Sequence, residues 1–463
     1  MNGFFLPRSA TLISCNDRGF LFGDGVYEVV KALYTPSGPH IFLEDGHWSR
    51  LRRGLTQLSI DLADSVEFGE LSRNLLLRNG LCGKVGEEAL VYIQITRGGG
   101  SRSHASPTPP LPHNVYAFCK SFTPPSSKVY SDGVSLLCYP DRRWGGCGAK
   151  TVCLLPNTLA NSAARDVSCY EALLLRPRPG SSPLFNSSTL ATPCTPLPQF
   201  GEQGGPMYAA EDLLCVECSH SNVFAVLAEE DGGFSLRTHP LDNVLPGITR
   251  DAIIRRFPDS IQAKDAAKAL GGPLRVREEA FSWADVLAGR VVELIVTSTG
   301  VDAIAACRVM PSPLLTPGGG EERIIGGGVP GPCARALKAA FLCWMEEERR
   351  LAEGSSARKE SSIGIKPQDA LTQEQWAAYD RDGFIVLDVA TPSEVEKLNS
   401  RLDEIMMGKV QYGEKLLMQL DPSGNSKNSL SEATNDEALA RAVSAFSLSL
   451  SLSPSCKQPL SLY

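Results

Sequence analysis

The stretch from Asp17 to Val30, DRGFLFGDGVYEVV, constrains this chain more than any other, because it joins a glycine-punctuated turn to an apolar strand. Gly19, Gly23 and Gly25 permit backbone angles and close approaches that side chains forbid. The Tyr-Glu-Val-Val run that follows alternates like a half-buried strand. Four further segments come later in the chain: TRGGGSRSH from Thr96, AKTVCLLPNTLA from Ala149, VECSHSNVF from Val216 and LPGITRDAII from Leu245.

A chain of 463 residues exceeds one ordinary domain, and its 43% hydrophobic content suffices for a sizeable core, so two or three folded units are expected. The net charge of −7 argues against nucleic acid as a partner. No run approaches about eighteen apolar residues, and no basic region with an apolar core opens the chain, so neither a membrane span nor a secretory signal is expected. The fourteen cysteines are scattered over the chain, which favours reduced thiols and a cytoplasmic location. Cys215 and Cys218 have CxxC spacing, but they sit in a strand-like apolar run without a second pair, so no metal site is assigned.

Strand-like runs and one helix-like stretch, His47 to Leu58, fill residues 1–120, a small N-terminal domain that ends in the strand NVYAFCK. Residues 121–128, SFTPPSSK, read as a linker. A larger domain follows at 129–354, with strands YEALLLR and VELIVTST, helices NTLANSAARD and ITRDAIIRRF, and a closing amphipathic helix CARALKAAFLCWMEEERRL. Within it, 177–211 is crowded with Pro, Gly, Ser and Thr and reads as a flexible surface insertion. Residues 355–370 read as a second linker, 371–440 as a separate fragment and 441–463 as a low-complexity tail.

Several residues carry chemical meaning on their own. The apolar neighbours of Lys150, Val152 to Leu155, predict a partly desolvated amine, a setting that lowers an ammonium pKa; on local context alone, a surface lysine at a strand end is the favoured reading. Glu217 closes an apolar strand. Gly247, Ile248 and Thr249 open a helix-like run, so free backbone N–H groups, the helix dipole and a hydroxyl face an anion there. Arg102 and His104 in a Gly/Ser-rich loop read, without further context, as a solvated basic turn, and Tyr27 as an aromatic strand residue.

Taken together and in this order, the five segments resemble the fold type IV pyridoxal-phosphate enzymes, and among them the D-amino acid aminotransferases. The resemblance runs from Gly3 to Glu353, about three quarters of the chain. It implies an α+β fold, with a small α/β domain before a larger β-barrel-like domain with helices, and a homodimer. It also implies the cofactor pyridoxal 5′-phosphate, with Lys150 as the Schiff-base lysine and proton shuttle and Glu217 as partner of the ring nitrogen. The phosphate would be held by Arg50, Gly247, Ile248, Thr249, Ser298 and Thr299. Tyr27, Arg102 and His104 would bind the substrate carboxylate, the last two contributed by the neighbouring subunit. The activity implied is transfer of an amino group between a D-amino acid such as D-alanine and a 2-oxo acid such as 2-oxoglutarate.

Departures concern the substrate pocket: Cys218 and His220 stand where the family favours small residues, and Gly300 follows Thr299 where another hydroxyl is common. Branched-chain L-amino acid aminotransferase is disfavoured because this chain has YIQITR where a Tyr-x-Arg pattern is expected, and aminodeoxychorismate lyase because it lacks the Arg-x-His pair. The segment LTQEQWAAYDRDGFIVLDVATPSEVEKLNSRLDEI resembles the opening of a phytanoyl-CoA-dioxygenase-like domain. That family holds iron with two histidines and a carboxylate, whereas all six histidines here lie at or before His239, so the segment is read as a truncated appendage. A catalytically idle fusion product is the remaining alternative.

Overall fold

In the computed structural model the glycine-rich segment before the first long strand is a short helix, not the expected turn. Asp17 caps α1 (Arg18–Phe22) by accepting a hydrogen bond from Gly19 N at 2.8 Å, and Gly23 ends it at φ +67°, where glycine is favoured. The model describes residues 1–62, 66–181, 208–242, 244–311 and 321–359, with side chains of the last helix to 353.

The first sheet is antiparallel throughout, in the order β2 (His40–Ile41), β1 (Gly25–Leu33), β3 (Glu88–Thr96), β4 (Asn114–Phe122). Helices α2 (Glu44–Gln57) and α3 (Phe68–Arg78) cover it through a core that includes Val26, Val30, Leu51, Leu55 and Phe68. α2 thus starts three residues before the expected His47. β1 is not half-buried as its alternation suggests: Glu28 and Lys31 are buried as well, because both faces of the strand are covered. β4 runs through Phe122, paired with Glu88, and α4 (Ser127–Asp132) begins soon after. The expected linker at 121–128 therefore shortens to 123–126.

The second sheet has ten strands: β5 (Val134–Pro140), β6 (Glu171–Pro177), β7 (Leu213–Cys218), β8 (Asn222–Ala228), β9 (Phe234–Thr238), β10 (Leu274–Glu278), β11 (Phe281–Ser282), β12 (Val291–Ser298), β13 (Asp302–Met310) and β14 (Arg323–Ile324). Their order is β10-β9-β8-β12-β13-β5-β6-β7-β11, with β14 on β13, so the described strands form an open half-barrel with β10 and β11 as free edges. β6 and β7 pair antiparallel, so the expected insertion at 177–211 joins the two strands of a hairpin; its residues 182–207 lie outside the described residues.

Around this sheet lie α5 (Leu155–Asp166), α6 (Ile248–Arg256), α7 (Ile261–Leu270), α8 (Trp283–Leu287) and the long α9 (Pro332–Lys359). α9 buries Leu337, Phe341 and Trp344 against Phe224, Phe257, Leu33 of β1 and Phe42 just after β2. Truncating a buried aromatic such as Phe341 to alanine costs about 3–5 kcal/mol. Among the described residues no helix is long and apolar enough to cross a membrane. Beyond residue 359, the rest of the expected linker, the dioxygenase-like fragment and the low-complexity tail lie outside the described residues.

Candidate active site

A cleft of about 640 Å³ opens between the two sheets and gathers Tyr27, Arg50, Lys150, Glu217, Gly247, Ile248, Thr249, Ser298 and Thr299 on its walls. The Lys150 segment is held there by β1. Tyr27 N donates to Lys150 O at 2.9 Å, Val152 N donates to Gly25 O at 3.0 Å, and Val26 bridges Thr151. Lys150 Nζ lies 4.3 Å from the centre of the Tyr27 ring, which stacks on Tyr92 at 5.5 Å. The flanking residues do not supply the desolvation expected of them: Leu154 and Leu155 are 36% and 69% exposed. The ring beside the amine, Tyr27, comes from β1, which sequence neighbours do not reveal.

Glu217, on β7 just before its turn into β8, is buried and ringed by donors. Asn222 Nδ2 donates to Oε2 at 2.8 Å and Leu245 N at 3.2 Å, while Arg143 Nη1 contacts Oε1. Arg143 is held in turn by Asp141, through contacts of 2.9 Å from Nε and from Nη2. Burial alone would raise the Asp141 carboxyl, but Arg143 and Arg176 over-compensate and hold it below its ordinary value.

At the other end of the cleft, α6 starts with no capping side chain, and Gly247 is its N-cap. Its φ of −65° is ordinary; the reason for glycine is space, since a Cβ would collide with Asn222 Oδ1. Arg50, projecting from α2, donates to Pro246 O at 3.2 Å and pairs with Glu28 through Nε at 2.9 Å and Nη2 at 2.6 Å. His47 Nδ1 faces the same carboxylate at 3.2 Å. Burial would raise the Glu28 carboxyl, but Arg50 and His47 hold it far below the usual carboxylate range. Burial lowers the His47 pKa, Glu28 opposes that, and the Arg50 and Lys150 charges add to it.

Arg102 and His104 do not line this cleft. Both are exposed, with the Arg102 guanidinium 5.1 Å and the His104 ring 5.4 Å from the Phe22 ring. Their loop is anchored by the buried Arg18, which donates to Ser103 O at 2.6 Å and to His104 O and Ala105 O at 3.3 Å. Cys218 and His220 do border the cleft. His220 is half-exposed, and its Nε2 lies 3.1 Å from the fully buried Glu171.

Comparison with known proteins places this arrangement. Residues 25–179 match the family model described as amino-transferase class IV. Over 348 residues the chain is 30% identical to the D-alanine aminotransferase of Staphylococcus aureus strain N315, an alignment covering 75% of this chain and 97% of that one. The chain belongs to the class IV aminotransferases. A further relative of this aminotransferase, the D-alanine aminotransferase of Bacillus licheniformis, is 26% identical over 344 residues, covering 73% and 94% of the two chains. The branched-chain amino acid aminotransferase of Escherichia coli shares its fold, with a TM-score of 0.53 at 19% identity over 74% of this chain and 92% of that one.

This is therefore a pyridoxal-phosphate-dependent, fold type IV aminotransferase, and its cleft fits the cofactor. A carboxylate offers about four acceptor positions. Three donors reach Glu217, which leaves room for a protonated ring nitrogen. The uncapped helix start at Gly247, with Thr249 and Arg50 beside it, suits a phosphate. Sequence reasoning missed Arg143, Glu28 and Asn222. The only local signal for Arg143 was the run Asp141-Arg142-Arg143-Trp144 a few residues before Lys150.

Proposed function

We propose that this aminotransferase moves the amino group between a D-amino acid, D-alanine among them, and a 2-oxo acid such as 2-oxoglutarate, as a cytoplasmic homodimer. The observation that carries the reading is the Arg18-anchored loop, which presents Arg102 and His104 outside their own cleft. Phe20, on the same helix as Arg18, is 76% exposed, an apolar side chain suited to contact with a second copy of the chain. In such a dimer the partner subunit's Arg102 and the partner subunit's His104 complete the carboxylate trap begun by Tyr27.

When bound, pyridoxal phosphate supplies the electron sink for the bond broken at the substrate Cα. Lys150 Nζ would anchor the cofactor and would serve as the base and acid that takes and returns the substrate Cα proton. Glu217, oriented by Asn222 and Leu245 N, would hold the ring nitrogen in its protonated form. Arg50, Gly247, Ile248, Thr249, Ser298 and Thr299 hold the phosphate. Arg143, locked by Asp141, orients Glu217.

The test compares D-alanine with L-leucine and L-valine, each with 2-oxoglutarate as acceptor. D-alanine should be strongly preferred. A charge-assisted contact is worth roughly 1.5–3 kcal/mol, so Arg102→Ala should weaken D-alanine use by about one to two orders of magnitude while cofactor binding persists. Preference for the branched L-substrates would refute the assignment.

A further inference from the structure

A cluster of charged side chains that no step above uses lies behind the cleft wall, at the head of β13. Lys31 of β1 donates from Nζ to Asp302 Oδ1 at 2.7 Å, and Lys338 of α9 donates to Asp302 Oδ2 at 2.9 Å. Lys31 and Asp302 are both buried. Lys338 also donates to the Tyr130 hydroxyl of α4 at 3.3 Å, and that hydroxyl donates to Val301 O at 3.2 Å. None of these four side chains lines the cleft.

Burying an ion pair is no gain in stability by itself, since desolvation offsets the attraction. Asp302 is moreover at φ +58°, a region uncommon for a residue other than glycine. What the cluster does hold is the end of a hairpin. Ser298 and Asp302 are the last register pair of β12 on β13, and Val301 N donates to Ser298 O at 3.2 Å. Ser298 and Thr299 line the cleft, and neither hydroxyl has a hydrogen-bond partner among the described residues. Their side chains are thus set by no bond of their own. Their place comes from the backbone, which is gripped from behind at Val301 O and at the Asp302 carboxylate by β1, α4 and α9.

We propose that Asp302 is a positioning residue: pinned by Lys31 and Lys338, it sets the Ser298 and Thr299 hydroxyls where the cofactor phosphate is received. This rests on the phosphate contacts of Ser298 and Thr299 proposed above.

The experiment titrates the cofactor-free full chain with pyridoxal phosphate and with pyridoxal, which lacks the phosphate, so that the ratio of the two Kd values reads the phosphate alone. Asparagine at 302 keeps the size and tolerates the same backbone angle. Asp302→Asn should cut the preference for the phosphate form about ten-fold, the scale of one hydrogen bond to a charged group. In the double variant Lys31→Met/Asp302→Asn the buried lysine of β1 is no longer left unpaired, so the melting temperature should return toward wild type while the preference stays reduced. Equal weakening of both ligands in Asp302→Asn, or recovery of the preference together with stability in the double variant, would make the cluster merely structural and overturn the proposal. Ser298→Ala/Thr299→Val separates the two readings. If it reduces the preference and Asp302→Asn does not, the proposal alone fails; if it leaves the preference intact, the phosphate contacts and the proposal fail together.

Discussion

Replacing Glu28 with glutamine should destabilise the protein far more without cofactor than with it. Glu28 is fully buried and takes two hydrogen bonds from Arg50, at 2.9 and 2.6 Å, one from Val29 N at 2.9 Å, and faces His47 at 3.2 Å. Glutamine keeps the shape but deletes the charge and turns an amide toward the Arg50 guanidinium, which is left as a buried, uncompensated cation. Removing one partner of a buried ion pair costs about 3–5 kcal/mol. At about 2–4 °C per kcal/mol for a unit of this size, the melting temperature of the cofactor-free protein should fall by on the order of 10 °C. Bound phosphate supplies the missing negative charge, so the fall with saturating pyridoxal phosphate should be half of that or less. Inorganic phosphate should recover part of it. Thermal melts of wild type and Glu28→Gln, each with and without cofactor, measure the four values. Equal falls in both states would show that Glu28 and the phosphate do not share Arg50, and would remove Arg50 from the phosphate site.

Three further outcomes follow from the same geometry. Lys150→Ala should lose turnover by several orders of magnitude, and borohydride treatment of the wild-type holoenzyme should label Lys150; labelling of another lysine would refute the assignment. Stability should decline as pH falls from 7 to 5, because the folded-state pKa of His47 is depressed below 6.5 and the stability its neutral form contributes is present above that value and lost below it; Glu28, also depressed, adds its loss only below about 4.5. Melts of His47→Gln should be flatter over pH 5–7 than wild type, and a parallel decline would contradict this. A chain ending at Gly354 should bind pyridoxal phosphate and turn over like the full protein, since the candidate catalytic groups all precede Gly300; loss of activity on truncation would give the C-terminal segment a role in the enzyme.

What was legible in the sequence was whatever a local run could carry. The helix start at Gly247 showed because glycine, an apolar periodicity and a following hydroxyl lie in consecutive residues. The strands β6 and β12 showed because their apolar runs are continuous. The partners of those residues were hidden, because they meet only in the fold. Arg143 and Glu217 are 74 residues apart, and Arg50 reaches Glu28 from a helix beside the strand. The surroundings of Lys150 were misjudged for the same reason. Leu154 and Leu155 look like a desolvating wall in sequence but begin a helix that turns them to solvent, while Tyr27, more than a hundred residues earlier, packs under the amine.

β1 shows how one strand can serve the core, the cofactor and the join between the sheets. Successive side chains point to opposite faces. Val26, Glu28 and Val30 face α2, where two of them enter the small core and the third holds Arg50. Tyr27, Val29 and Lys31 face the larger sheet, where Tyr27 meets Lys150, Val29 borders the cleft and Lys31 reaches Asp302 at the head of β13. A charged residue on each face would be costly if unpaired, so both must find partners from other elements before the strand can be buried. The two ion pairs thereby tie β1 to α2 on one side and to the turn containing Gly300 on the other. A one-residue slip of β1 would exchange the faces, take Lys31 from Asp302 and remove both Tyr27 from the amine and Glu28 from Arg50. The register that keeps the strand stable is thus the register that assembles the cleft, which accounts for two buried charges in a strand that reads as mostly apolar.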